Sequence, residues 1–179
     1  TALLAGAALG AGAASAQQGD PLGGAFGAVE GALSPADAAD QVELTAKALS
    51  GIAPQRPGVV DTYVLSVSFW NDPVFENEAR EAAAVLGRRF DAAERTIVLS
   101  AGRGAGVKRV YANASPNNFQ AALGKIGRTI DPNEDLVVVF FTSHGGPDGA
   151  VAVQEKNRMY GALRPAHLRA SLAAAGMLG

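Results

Sequence analysis

Cysteine is missing from the 179 residues of this chain. Its absence excludes disulfide bonds, a thiol nucleophile and thiolate metal ligands within these residues. Histidine is scarce too, because His144 and His167 are the only two, and no close pairing of His, Asp and Glu is visible. The sequence therefore gives little support for a metal site.

A basic surface is also absent. The chain has 15 Lys and Arg residues against 17 Asp and Glu residues, a formal net charge of −2, and its basic residues are scattered along the sequence. Nucleic-acid-binding proteins concentrate positive charge in one patch or stripe. Nucleic acid is therefore not an expected partner.

Charged residues are absent from the first 16 positions as well. Residues 2–16 are small or apolar apart from one serine, and they end in Ala14-Ser15-Ala16. This pattern is typical of a secretory signal and its cleavage site, here without the preceding basic region. We expect residues 1–16 to be a signal-peptide remnant, with a mature protein starting near Gln17 in a bacterial periplasm or outside the cell. The run is too short and too weakly apolar to span a bilayer, so no membrane span is expected in the mature chain.

Residues 17–58 are predicted to be a flexible segment with one helix and a linker. Gly and Ala dominate residues 17–33, which favours flexibility. Ser34-Pro35 is typical of a helix N-cap and first helical residue, and Gly51 of a helix stop. The helix fits either a small N-terminal appendage or part of a pro-segment. Its predicted apolar face consists of Ala39, Val42, Ala46 and Leu49.

Strand and helix patterns alternate along residues 59–179. Residues 62–68, 96–100, 136–142 and 150–154 are predicted strands. Helices are predicted to start at Asp72-Pro73 and Ser115-Pro116 and to span Pro165–Ala175. Alternation of this kind predicts an α/β fold, a mostly parallel sheet with helices on its faces. A crossover helix normally returns to the sheet, so one further strand is expected after Gly176, and the sheet as given is expected to be incomplete.

The segment Leu136–Gly146, LVVVFFTSHGG, is the most informative part of the chain. Its apolar run predicts a strand buried on both faces, and a polar cluster with His144 follows the strand directly. Open α/β sheets place their chemistry at this carboxyl edge. Histidine transfers protons near neutral pH, and the neighbouring glycines leave backbone N–H groups accessible to a substrate.

The glycines Gly102, Gly104 and Gly106 stand in a loop after the second predicted strand. A dinucleotide-binding turn needs a helix directly after its glycines, whereas this loop continues and carries Lys108 and Arg109. We therefore interpret it as a mobile surface loop. A flavodoxin-like or Rossmann-like binding module, in which His144 is incidental, remains an alternative function class.

Two segments resemble the legumain-like cysteine peptidases of the caspase–gingipain clan. One is the helix start Ser115-Pro116-Asn117-Asn118-Phe119, and the other is the apolar strand with His-Gly at Leu136–Gly146. The resemblance extends over residues 62–179. It implies a caspase-like three-layer α/β/α sandwich and a bacterial exported member of the family. Residues 59–179 would then be a partial peptidase domain.

The resemblance implies a cysteine endopeptidase that acts on peptides or proteins without a cofactor. His144 would be the general base and then the general acid, Gly145 N–H an oxyanion-hole donor, and Ser143 a neighbour that fixes the loop. In the family the cysteine ends the next apolar strand, which here would follow Gly179. This chain by itself is therefore expected to be inactive. The alternative is a non-catalytic relative that binds peptides or scaffolds the cell envelope.

In some relatives an asparagine after the first strand orients the histidine, and Asn71 is the matching candidate. Asn71 also fits a turn before the Asp72 cap, and this is the interpretation that we favour. The family's asparaginyl specificity depends on an Arg-His pair, and the aligned positions hold Glu78 and Ala79. Asparagine preference is therefore not expected. The acidic pair Glu76 and Glu78 could favour a basic residue in the substrate. The simpler interpretation is that both side chains are solvated at the start of a helix, where the helix dipole favours negative charge.

Three further residues have structural interpretations. His167 is expected to be an exposed or partly packed helix residue, and Asp148 is expected to form a turn. Trp70, the only tryptophan, follows the first strand at the edge that carries His144. It fits both the lining of a substrate cleft and a cover over the end of the sheet.

Overall fold

The computed structural model describes residues 34–104, 106–155 and 158–178. These residues all belong to one compact unit. The predicted signal segment, residues 1–16, and the Gly- and Ala-rich stretch at 17–33 lie outside the described residues. Within the described part of the chain, no helix combines the length and the apolar character needed to cross a membrane.

Three parallel strands form the central sheet in the spatial order β2-β1-β3. β1 spans Thr62–Ser68, β2 spans Thr96–Ser100 and β3 spans Leu136–Thr142, each with the bounds that the sequence predicts. The last residues of the three strands lie opposite one another in the register. The loops that follow the strands therefore start from one common edge.

Within the described residues, four α-helices flank the sheet, and each has proline in its first turn. The side chains of Ser34, Asp72 and Ser115 accept first-turn backbone N–H groups, as the sequence predicts for N-caps. A fixed proline φ and a satisfied N-terminal donor explain why the helices start there. The helices are α1 (Pro35–Ser50), α2 (Pro73–Arg89), α3 (Pro116–Gly127) and α4 (Pro165–Ala174).

The helices pack on opposite faces of the sheet. On one face, Ser66 Oγ donates to the Ala79 carbonyl of α2 at 2.6 Å. On the other face, alternate residues of β1 join the hydrophobic core with α3, and α4 packs on α3. The fold is α/β, a three-stranded parallel sheet flanked by helices. Phe119, Ala122, Leu123 and Ile126 of α3 are buried, and Ile130, after the helix, packs against the core.

The buried face of α1 differs from the prediction. Ala39, Val42 and Ala46 are exposed, with Val42 71% accessible, and of the predicted face only Leu49 packs against the core. The helix is rotated so that Leu44, Ala48 and Leu49 pack against the core, and polar side chains attach it as well. Gln41 is buried, and its Oε1 accepts Asn113 N–H at 2.7 Å. Hydrophobic spacing alone could not reveal this polar attachment.

The outer edge of β3 is unpaired within the described residues. Leu136 N donates to Asp61 O, and Phe69 N donates to Thr142 O, so the even-numbered residues of β3 bond to β1. The N–H and C=O groups of Val137, Val139 and Phe141 therefore point to the open edge. The prediction that β3 is buried on both faces is wrong, because an edge strand keeps part of its surface accessible.

A separate antiparallel hairpin follows β3. It consists of β4 (Val151–Glu155) and β5 (Arg158–Leu163). The sequence predicts β4 at residues 150–154 and does not predict β5. Gln154 N donates to Phe69 O at 2.7 Å, and Val153 is buried in the core. The hairpin thus lies against the carboxyl edge of the sheet instead of extending it.

Candidate functional site

The carboxyl edge between β1 and β3 is a switch point of the sheet. The chain leaves β1 toward α2 on one face, whereas it leaves β3 toward the hairpin and α4, which packs on α3 at the other face. Loops that separate in this way open a crevice, where open α/β sheets bind ligands. His144 lies at this edge, two residues after the end of β3.

Two aromatic rings hold the His144 imidazole. The Trp70 ring lies 4.7 Å away at an interplanar angle of 84°, and the Phe75 ring lies 5.1 Å away at 79°. Both are edge-to-face contacts, which restrict the orientation of a ring without using its polar atoms. Among the described residues, no hydrogen bond reaches either imidazole nitrogen, and His144 is exposed. The imidazole is therefore held by two aromatic rings, and its nitrogens have no hydrogen-bond partner within the described residues.

The backbone around His144 is fixed by β4. Ala152 N donates to His144 O at 2.9 Å, and Gly146 N donates to Ala150 O at 2.8 Å. Ser143 Oγ donates to the Ala152 carbonyl at 2.6 Å, so its hydroxyl holds the loop and the hairpin together. Gly145 lies between these bonds, and its own N–H donates to no acceptor in the described part of the chain. That N–H is available to a ligand.

An open groove of about 370 Å³ runs beside the imidazole. Small residues of the loop and the hairpin line it, so backbone and not bulky side chains forms its walls. The lining residues are His144, Gly145, Gly146, Ala150, Ala152, Gly161 and Ala162.

The turn after His144 is tied to α4. Asp148 Oδ1 accepts Ala150 N–H at 3.2 Å, the turn role that the sequence predicts. The Asp148 carboxylate also pairs with Arg164, the residue before α4. The Ala150 N–H bond and the Arg164 guanidinium lower the pKa of Asp148 below its ordinary value. Asp148 thus stabilises the loop, and its bonds do not involve His144.

Asn71 attaches the glycine-rich loop, and among the described residues no hydrogen bond joins it to the imidazole. Its Oδ1 accepts Gly104 N–H at 2.7 Å. Gly102 N donates to Ser100 Oγ at 2.9 Å, so the loop is bound at two points. Gly102, Gly104 and Gly106 all have positive φ, between 76° and 107°, which explains the glycines without a nucleotide.

The two carboxylates at the start of α2 have different environments. Glu76 is 5% exposed and accepts Ser100 Oγ at 2.7 Å, while Arg103 Nε lies 3.5 Å from it. The interpretation of Glu76 as part of a solvated helix start is therefore wrong. Glu78 is exposed, and it accepts a hydrogen bond of 2.5 Å from Thr142 Oγ1, two residues before His144.

Sequence reasoning missed Phe75 and Thr142 as parts of this site. Phe75 is in the first turn of α2, and only the packing of α2 on the sheet brings its ring to His144. His167 does not join the site: it is exposed, and its Nδ1 accepts Arg164 N–H at 3.3 Å in the first turn of α4. In residues 34–104, 106–155 and 158–178 no group of three His, Asp or Glu residues is placed to hold a metal ion.

No family model, curated protein or solved structure matches this chain. The functional argument therefore depends on the geometry of the His144 site.

Proposed function

We propose that this chain is the histidine-bearing part of an exported cysteine-type endopeptidase with a caspase-like fold. One observation carries the proposal. Within the described part of the chain, a positioned imidazole whose nitrogens have no hydrogen-bond partner follows the carboxyl end of a strand whose outer edge is unpaired. A nucleophile at the end of a strand paired with that edge would lie next to His144.

The handedness of the fold supports this location for the nucleophile. The connection from β2 through α3 to β3 crosses the sheet on one face, and α4 packs against α3 on that same face. Parallel crossovers are right-handed in nearly all proteins. A strand reached through α4 would therefore pair with the open edge of β3. The sequence resemblance assigns the family's cysteine to the end of such a strand.

The proposed reaction uses His144 twice. The imidazole takes the thiol proton, and the thiolate attacks the scissile carbonyl carbon to form a tetrahedral oxyanion. His144 then gives the proton to the leaving amine, which departs and leaves an acyl-enzyme. Water loses a proton to His144 and attacks the acyl carbon, and the released thiolate regains that proton.

Backbone and aromatic groups would assist these steps. The free N–H of Gly145 would donate to the oxyanion, a contribution of about 3 kcal/mol in comparable sites. Trp70 and Phe75 would act as positioning residues, because their edges keep the imidazole from rotating away. Ser143 would position the Gly145 backbone through its bond to Ala152.

Translation of the source gene past codon 179 tests the proposal. An apolar strand ending in a small-Cys-x-Ser/Gly phrase within about 15 residues is expected, the length of one strand and a short loop. A comparable strand without cysteine would contradict the enzyme. The alternative function, a peptide-binding or scaffold protein of the cell envelope, would then take its place.

Export is part of the same proposal, and it is supported by the signal-like residues 2–16. N-terminal sequencing of the protein from a periplasmic or culture-medium fraction should start near Gln17. A cytoplasmic protein that retains residues 1–16 would contradict export without affecting the site.

A further inference from the structure

The Glu78 carboxylate is exposed and lies near the segment that carries His144. Its position follows from two contacts. Glu78 Oε2 accepts a hydrogen bond from Thr142 Oγ1, and Phe75, one helical turn earlier, contacts the imidazole. Glu76 is excluded from such a role because it is buried. Its carboxylate accepts a hydrogen bond from Ser100 and pairs with Arg103.

The distance from Glu78 to the reacting centre suits a long basic side chain. Thr142 and His144 are two residues apart, and the chain bends at Ser143 between them, so their Cα atoms are at most about 7 Å apart. The four-carbon stem of a lysine extends over a comparable length. A peptide carbonyl beside the imidazole would therefore let the neighbouring Lys or Arg side chain reach the carboxylate.

The charges nearby leave Glu78 available to a ligand. Three arginines near this edge have acidic partners other than Glu78: Arg80 pairs with Glu81, Arg103 with Glu76, and Arg164 with Asp148. Within the described part of the chain, the partner of Glu78 is the Thr142 hydroxyl, which carries no charge. One negative charge next to the site is thus uncompensated.

We propose that Glu78 selects peptides with a lysine or arginine side chain at the position next to the carbonyl that His144 faces. This inference rests on the proposed function, because it names the substrate class of the same site. Glu78 is a specificity residue in this role, and it takes no part in proton transfer.

Tryptophan fluorescence measures the binding directly, because Trp70 is the only tryptophan of the 179 residues and contacts His144. The probes are acetylated Ala-Ala-Lys amide and the matched norleucine and glutamate peptides, titrated into the 179-residue chain. The lysine peptide is expected to bind about fivefold more tightly than norleucine, as for a partly exposed ion pair. This preference should weaken as salt is raised.

Glu78→Gln tests the charge alone, because the amide oxygen still accepts from Thr142 and keeps the shape of the side chain. It is expected to abolish the preference for lysine over norleucine. Glu81→Gln is the matched control, since Glu81 lies on the same helix and pairs with Arg80. It should keep the preference.

Three results would overturn the inference: equal binding of lysine and norleucine peptides, loss of the preference in Glu81→Gln as well, or no peptide binding at all. Failure of the proposed function is measured separately. It would appear as peptide cleavage that survives replacement of His144, a result that does not depend on Glu78.

Discussion

Asp61 has the densest set of charged partners among the described residues. Its side chain is fully buried, and its Oδ1 lies 2.6 Å from Arg56 Nη2 and 3.3 Å from Arg95 Nε. Asp61→Asn leaves the two guanidinium groups without their carboxylate. We expect a loss of about 3 kcal/mol in the free energy of unfolding, measured by urea denaturation.

Asp91→Asn is the control for that substitution. Asp91 is exposed, lies 3.6 Å from the same Arg56 group and has φ +52°, a conformation that asparagine tolerates. Its replacement should change stability by about 0.5 kcal/mol or less. Equal effects of the two substitutions would contradict the assignment of Asp61 as the buried centre of this network.

The pH dependence of the Asp61 contribution has a defined sign. Burial alone would raise the pKa of Asp61, but the hydrogen bonds from Arg56 and the charge of Arg95 outweigh it and hold the pKa below its ordinary value. A carboxyl of this kind stabilises the fold fully above its unfolded pKa, about 3.9, and loses that contribution as pH falls through the folded pKa.

The stability difference between the wild type and Asp61→Asn should therefore be complete at neutral pH and shrink below about pH 4. Denaturant midpoints of both proteins across acidic and neutral pH check this. A difference that grows on acidification would reverse the sign and contradict the low pKa.

Single residues with local partners could be predicted from the sequence, and those with distant partners could not. Ser34, Asp72 and Ser115 cap their helices as predicted, because each bonds within three residues. The burial of Glu76 could not be predicted, because its partner Ser100 is on β2, which is distant in the sequence. Glu78 meets Thr142 only after β3 is placed beside β1.

At the level of elements, the contact between α3 and α4 depends on a glycine. A Cβ added at Gly127 would clash with the Ala175 carbonyl oxygen, which is backbone and cannot turn aside. Gly127→Ala should cost about 1–3 kcal/mol because α4 must shift. The measurement is the midpoint of thermal unfolding.

Gly124→Ala is the matched control in the same helix. An added Cβ there would meet only the flexible end of Arg128, at 3.5 Å. It should raise stability by up to about 1 kcal/mol, the helix propensity of alanine over glycine. If Gly127→Ala stabilised the protein as much as Gly124→Ala, the close packing of α3 on α4 would be wrong.

Elements with a strong periodic pattern were predictable, and the hairpin was not. β1, β2 and β3 are runs of apolar and β-branched residues, and their bounds are confirmed. β5 contains Gly161 at φ +138°, and its pairing with β4 shifts register between Val153 and Gln154. An irregular strand of this kind depends on its partner for definition, so its own sequence is a weak signal.

At the scale of the whole molecule, the open edge of β3 predicts self-association of the 179-residue chain. Unpaired N–H and C=O groups on a strand with partly exposed apolar side chains are a template for another strand. Val138→Lys adds a charge to this edge strand, and it should reduce association measured by analytical ultracentrifugation. Val42→Lys, on the exposed surface of α1, should leave association unchanged. A chain that is monomeric at high concentration would contradict the prediction.

The arrangement of a parallel sheet between helices could be predicted from the sequence. Alternating elements predicted the parallel sheet and the flanking helices, and the location of His144 at the carboxyl edge followed from its position after β3. The surroundings of His144 were not predictable, because Trp70 and Phe75 meet it through tertiary packing.

The central claim, that His144 is the proton-transfer group of a peptidase site, is tested most directly by peptide cleavage. The protein used is one that extends through the strand paired with β3 and contains its cysteine. His144→Gln should lower kcat/KM by about 10³-fold or more, as loss of a catalytic acid–base group does. His167→Gln, the replacement of the only other histidine, should retain wild-type cleavage. Cleavage that persists in His144→Gln, or is lost equally in His167→Gln, would contradict the account.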